Sequence, residues 1–191
     1  MILSKKSLEE YLDADAKKYK SYNYFIKFIV PFAISEEHIR LRYCMRLRKT
    51  EYYKNTNKRI KYAVSKFLLN RMQIQTGIII PPNTVGKGLS IGHIGTIIIN
   101  GKCKIGDNLK IHADVNIGAN GGIPPVIGDN CYIGPGAKIF GDIRISNNVF
   151  IGAGAVVNKD CTQEFGVYAG VPAKLVSTRN NQECKSENFS Y

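Results

Sequence analysis

Along the second half of the chain an isoleucine or valine returns every six residues. The series runs Ile79, Val85, Ile91, then Ile99, Ile105, Ile111, Ile117, then Ile127, Ile133, Ile139, Ile145, Ile151 and Val157. A helix would repeat at 3.6 and a strand at 2. A period of six marks short strands joined by corners, three hexads to a triangular coil, which is a parallel β-helix. The β-branched residue faces inward. Seven of the thirteen are followed by glycine (86, 92, 106, 118, 128, 134, 152), read here as the residue that permits a tight corner. Cys103, Cys131 and Cys161 lie four residues after a beat residue, a phase shared by Leu109, Val115, Ala137, Ile143, Val149 and Ala155. That phase is a second inward position, where cysteine serves as a small hydrophobe. The thirteen hexads predict a little over four coils within residues 76–176, closed by a turn over Gly166–Leu175.

The beat slips twice. Two extra residues fall within Gly92-His93-Ile94-Gly95, and four extra within Ala119-Asn120-Gly121-Gly122-Ile123-Pro124. A stacked strand cannot absorb them, so they must be extruded at corners, where function tends to sit.

Before the repeat, residues 1–75 read as helical. One helix is expected over residues 4–20, with Ser7 as a capping residue and Leu8, Tyr11 and Leu12 on one face. A second apolar segment covers Tyr22 to Phe32. Ser35-Glu36-Glu37 opens a helix to about Lys49 with Ile39, Tyr43 and Leu47 as its stripe and Arg40, Arg42, Arg46 and Arg48 elsewhere. After a turn at Asn55-Thr56-Asn57, a further helix spans Lys58 to Met72 with Ile60, Val64, Phe67 and Leu68 as its apolar stripe. From 177 to 191 the chain is a polar tail, expected to be disordered.

Charge is uneven. Of the net +12, residues 1–75 contribute +10 (17 Lys/Arg against 7 Asp/Glu) and residues 76–191 contribute +2 (10 against 8). The helical region therefore suits an anionic partner, such as a phosphorylated or lipid-linked substrate, lipid head groups or nucleic acid, or else is simply a solvated face. No nucleic-acid recognition module is present. The start of the chain does not read as a signal peptide, and Tyr22–Ile34 is too short to cross a bilayer, so a cytoplasmic location is expected. The five cysteines contain no CxxC pair, and no metal site is expected.

Residues three hexads apart stack about 4.8 Å apart along the axis. Ile91, Ile111, Ile133 and Ile151 form one such column, so the corners after them stack too: Gly92-His93, His112-Ala113, Gly134-Pro135 and Gly152-Ala153. Two of the three histidines thus share a corner, at the end of a track of small residues, an arrangement suited to a long thin cofactor that delivers its reactive end to a base. His93, in the two-residue insertion, is the candidate base, because an imidazole can accept a hydroxyl proton at neutral pH. An exposed corner histidine without a role is the alternative. His112, at an ordinary glycine phase, is read as an orienting residue. His38 is read as a surface residue.

Gly88-Leu89-Ser90-Ile91-Gly92-His93, Gly128-Asp129-Asn130-Cys131-Tyr132-Ile133-Gly134-Pro135-Gly136-Ala137 and Ala169-Gly170-Val171-Pro172-Ala173-Lys174 resemble the hexapeptide-repeat acyltransferases, specifically the serine acetyltransferase branch. Arg46 to Tyr53 also resembles the helical region of relatives from surface-polysaccharide gene sets. The resemblance covers residues 77–176. It implies a left-handed β-helix, a homotrimer, and acetyl-CoA bound in the cleft between subunits, with His93 as general base. It also implies cofactor contacts at Ala119, Pro135 and Ala153, with Gly170 and Lys174 in the segment that closes over the nucleotide. Gly134 and Gly152 join them from the stacked corner. The branch's acidic partner of the base aligns with Ile78, and its carboxylate-gripping Arg-His pair with Ile123-Pro124. Asp114, three residues after Ile111 in the coil next to His93, is a candidate partner or orienting residue, its direction left open by the spacing.

These residues predict an acetyl-CoA-dependent O-acetyltransferase whose acceptor is a sugar hydroxyl of a surface-polysaccharide precursor. The alternatives are L-serine as acceptor and, from another class, a non-catalytic β-helix scaffold. A zinc β-helix of the carbonic anhydrase type would need three converging histidines, and the repeat has two.

Overall fold

A computed structural model describes residues 1–19 and 35–179. The apolar segment expected over Tyr22–Phe32 and the tail from residue 180 lie outside the described residues. Helix α1 (Lys5–Ala16) is capped by Ser4 rather than Ser7. The Ser4 hydroxyl accepts the Ser7 N–H, and the Ser7 hydroxyl accepts the Ser4 N–H, so Ser7 completes a capping box. Helix α2 (Glu36–Asn55) starts at its expected cap, Ser35, but runs on past Lys49. Helix α3 (Arg59–Thr76) ends at Gly77 in the left-handed conformation, φ 73°.

From there the chain winds through three faces. Face one stacks β1 (Ile78–Ile79), β3 (Ile97–Ile99), β6 (Val115–Gly118), β9 (Lys138–Phe140) and β12 (Val156–Val157). Face two stacks β4 (Lys104–Ile105), β7 (Val126–Ile127) and β10 (Arg144–Ile145), extended by single bridges Val85–Ile105 and Ile145–Cys161. Face three stacks β2 (Ser90–Ile91), β5 (Lys110–Ile111), β8 (Tyr132–Ile133), β11 (Phe150–Ile151) and β13 (Gly166–Ala169), all parallel. Strand β14 (Lys174–Thr178) folds back antiparallel on β13. Each face has five rungs rather than a little over four, because Cys161 and Tyr168 continue the stack beyond Val157. The closing turn is this β13–β14 hairpin, and it takes up residues 177 and 178 of the expected tail.

Twelve of the thirteen beat residues are buried, as are all the inward positions four residues later. Burial pushes the thiols of Cys131 and Cys161 up to about 12, so they behave as inert apolar groups. Ile79 is the exception, at 42% exposed, while Ile78 and Ile80 on either side are fully buried. Three consecutive isoleucines leave the phase open, and the left-handed Gly77 settles it by delivering Ile78 opposite Ile97.

The repeat glycines serve a different purpose from the one expected. None of the seven has a positive φ. The left-handed corner residues are others: Asn108, Asn130 and Asn148, at φ 58°, 56° and 61°, with Gly88 below them, and Asp114, Gly136 and Gly154 at the next corner. Asparagine tolerates this region, and the three amides stack as a ladder with hydrogen bonds of 3.0 and 3.1 Å. Gly86, Gly106 and Gly128 are needed for close approach. A Cβ on each would lie 2.2, 2.1 and 2.3 Å from the side-chain oxygen of Asp107, Asp129 or Asn147 in the next coil. Those oxygens accept the N–H groups of Lys87, Asp107 and Asp129. Glycine here is space for the neighbour's hydrogen bond.

The first coil has no strand beneath it, and side chains of the N-terminal region take that place. Thr76, Tyr43, Glu51, Asp15 and Tyr19 accept the N–H groups of Ile78, Ile80, Asn83, Leu89 and Ile91 in turn. Arg48 donates to the carbonyls of Val85 and Gly86, and Arg40 to those of Ile91 and Gly92. Arg48 is not on an outer face as the sequence suggests. It is fully buried, with Nε 2.7 Å from Asp15 Oδ2 and Nη1 3.0 Å from Glu51 Oε2.

Removing one partner of a buried charge group strands the others, typically at about 3–5 kcal/mol. Arg48→Leu should therefore cost about that much in a denaturant titration. A loss below about 1 kcal/mol would mean that the triad does not hold the helices on the coil.

Candidate active site

The corner between faces three and one follows the column Ile91, Ile111, Ile133, Ile151 and Tyr168. Its next residues are Gly92, His112, Gly134, Gly152 and Ala169. His93 and His112 meet there as expected, with ring centroids 6.2 Å apart. Their environments differ.

His112 is buried. Its ring fills the space beside Gly92, where a Cβ would lie 2.5 Å from Nδ1, and it faces the Tyr132 ring at 5.1 Å. Burial, then the charges of Lys110, His93 and Arg40, push its pKa down to about 4. It is a neutral, packed imidazole at neutral pH, and the ring contact with His93 is its link to the site.

His93 is 63% exposed on the 92–95 insertion. Its Nδ1 lies 3.2 Å from Glu36 Oε1, the first residue of α2. The same oxygen accepts the Ile94 N–H at 2.7 Å. Burial pulls the Glu36 carboxyl upward, but the Ile94 N–H, Arg40 and His93 together outweigh it and hold the group below the usual range. Glu36 is therefore ionised at neutral pH, at a helix N-terminus that favours negative charge. A carboxylate facing Nδ1 assigns the ring proton to that nitrogen and leaves the Nε2 lone pair to solvent.

The carboxylate beside His93 is thus Glu36 and not Asp114. Asp114 Oδ1 pairs with Lys138 Nζ at 2.9 Å, and its side chain is 70% exposed. Sequence reading placed Glu36 only as a first-turn helix acid. Its one legible signal was its position at the start of a helix, since 57 residues separate it from His93.

The small-residue track is assembled as expected. Gly134 is buried, Gly152 half-buried, and Pro135, Ala153 and Gly170 exposed along the same corner. Gly134 has no room for a side chain, because a Cβ would meet the backbone of Ala153 at 2.8 Å. Lys174 opens β14, exposed beside the hairpin turn. Ala119 lies elsewhere. It follows β6, at the corner between faces one and two, where the second insertion forms a small loop closed by an Asn120–Ile123 bridge. One chain does not bring Ala119 to His93.

Residues 124–159 match the family described as bacterial transferase hexapeptide (six repeats). The repeat domain is a hexapeptide left-handed β-helix. A serine acetyltransferase of Staphylococcus aureus is 36% identical over 121 residues, covering 61% of this chain and 56% of that protein. One from Staphylococcus xylosus is 36% identical over 124 residues, covering 62% and 57%. The chain thus spans a little over half the length of these relatives. Among solved structures, the serine acetyltransferase of Neisseria gonorrhoeae has a TM-score of 0.70 at 27% identity, covering 98% of this chain and 73% of that one. The Brucella abortus serine acetyltransferase in complex with coenzyme A shares the fold, with a TM-score of 0.72 at 23% identity over 92% and 70%.

A histidine held neutral by the fold makes stability depend on pH. His112 binds its proton near pH 6.5 when unfolded but only near 4 when folded, so the unfolded state gains protons first. Stability should fall as pH drops from about 6.5 to about 4 and should be flatter over that window in His112→Gln. Parallel urea titrations would show this. Equal slopes in the two proteins would contradict the assignment.

Proposed function

We propose that this chain is an acetyl-CoA-dependent O-acetyltransferase in which His93 is the general base. The observation that carries this reading is the exposed His93–Glu36 pair at the end of a corner track of small residues. Backbone at Gly134, Gly152 and Gly170, with the short side chains of Pro135 and Ala153, suits a narrow pantetheine arm, and the exposed Lys174 would meet the nucleotide end. When bound, acetyl-CoA supplies an activated thioester carbonyl. His93 Nε2 accepts the proton of the acceptor hydroxyl. Glu36 holds the ring through Nδ1 and stabilises the imidazolium that forms. His112, neutral and packed, supports the position of the His93 ring.

The relatives favour L-serine as acceptor over the sugar hydroxyl preferred from sequence, because those with 36% identity are named serine acetyltransferases. A sugar acceptor, anionic if nucleotide- or lipid-linked and drawn to the +10 helical region, is the second reading. It is favoured by the second insertion, where Ile123 and Pro124 offer no cation for a carboxylate and Ile123 is 51% exposed. A homotrimer completes the model. Ala119 and His93 occupy different corners of one chain, so two copies side by side would bring both to one cleft.

Thiol release from acetyl-CoA should be followed with L-serine and, separately, with free and nucleotide-linked hexoses. Turnover of L-serine at millimolar levels is expected. Turnover of hexose alone would establish the second reading, and no turnover or CoA binding would leave a scaffold. His93→Ala should lower kcat by about 10²–10⁴-fold. Glu36→Gln keeps an oxygen for the Ile94 N–H and should lower kcat by about tenfold or more, with KM little changed.

The side chain of Ala153 points out of the core, so Ala153→Arg should fold and assemble normally while its guanidinium blocks the track. Calorimetry should show CoA binding lost, with sedimentation still giving a trimer. Unchanged affinity in the folded variant would remove this corner as the cofactor site.

A further inference from the structure

The sequence reads Ile60, Val64, Phe67 and Leu68 as the apolar stripe of α3; the structure leaves Leu68 half-buried and turns the first three outward. They are 82%, 57% and 61% exposed, and Ile74 is 85% exposed. The face turned toward the protein is carried by Ser65, Leu69 and Thr76, with Ser65 hydrogen-bonded to Thr50 of α2 at 2.8 Å. At 100° per residue, positions 60, 64, 67, 71 and 74 fall within about 80° of arc, opposite that inner face. They form one ridge about 21 Å long. Four are apolar, and the fifth is Arg71.

The flanks of the ridge are basic. Arg59 and Lys66 lie on one side and Lys61 on the other, and α3 contains no acidic residue. A helix presenting Ile, Val and Phe, with Arg71 among them, between flanking cations has the composition of a segment that lies in a membrane interface. Among the described residues no helix is long and apolar enough to cross a membrane, so the fit is to the surface of the bilayer and not its interior.

We propose that the outer face of α3 docks on an anionic lipid surface. The apolar ridge enters the headgroup boundary and the flanking cations meet lipid phosphates. Charge argues for this occupant over a second copy of the chain, since residues 1–75 carry +10 and a facing copy would bring the same sign. A nucleic acid would use the cations and leave the ridge in water. The proposal does not depend on the acetyl-transfer reading.

The chain contains no tryptophan, so Phe67→Trp gives a single reporter in the full-length protein. Its emission should shift to the blue on mixing with phosphatidylcholine–phosphatidylglycerol vesicles and stay unchanged with phosphatidylcholine alone. A double change, Phe67→Ser with Ile74→Ser, keeps every charge and should weaken vesicle co-sedimentation about tenfold or more. No binding of the parent chain to the anionic vesicles at low salt would overturn the proposal. So would full binding by the serine variant, which would leave only charge. An emission already blue without vesicles, together with an assembly that loses mass in the serine variant, would show a second copy on the ridge and would also overturn it.

Discussion

A solenoid ends in a strand edge, and a strand edge is a row of peptide groups without partners. Inside the stack each coil supplies the next. Below the first coil nothing repeats, and the need falls on side chains from residues 15 to 76. Those side chains cannot be apolar, because the edge presents donors and acceptors in alternation and an unmet buried peptide group costs on the order of 1–3 kcal/mol. Hydroxyls and carboxylates meet the N–H groups, and guanidinium groups meet the carbonyls. The buried triad of Arg48, Asp15 and Glu51 follows from this. Once two carboxylates and a guanidinium are drawn under the coil to satisfy backbone, the carboxylates must share the one cation.

The same requirement builds the candidate site. Glu36 is one of the capping side chains, taking the Ile94 N–H where the 92–95 insertion leaves the stack. Its carboxylate oxygen is shared with His93 Nδ1. Arg40, one turn along α2, holds the carbonyls of Ile91 and Gly92 and lies 3.8 Å from the same carboxylate. The cap and the proposed base are therefore one hydrogen-bonded unit. A relative whose helices met the first coil differently would need its acid from another position.

What was legible in the sequence is what repeats. A six-residue beat reported the faces, the inward cysteines and the histidine corner, because identical geometry in each coil demands identical chemistry. What was not legible happens once. The phase of Ile79 depends on a single left-handed Gly77 ahead of three isoleucines. The partner of His93 depends on how a helix docks under a coil 57 residues away. The glycines were found but explained wrongly. Corner tightness is visible in one coil, whereas close approach needs the neighbour's Asp107, Asp129 or Asn147, and a linear reading shows no neighbours.

Helix α3 exposes the limit of hydrophobic periodicity as evidence of burial. Its apolar stripe is real, with the right spacing for one face, and the inference that such a face turns inward is usually sound. Here the inward contact to α2 runs through Ser65 hydrogen-bonded to Thr50 and through the buried Leu69. Small side chains at Ser65 and Thr50 let the helices approach closely, and Thr76 turns its hydroxyl to the first coil. Once polar caps and close helix contact fix that side inward, the stripe opposite can only face out. The orientation of α3 is thus decided by the polar needs of the solenoid's edge, and the hydrophobic pattern follows from what those needs leave over.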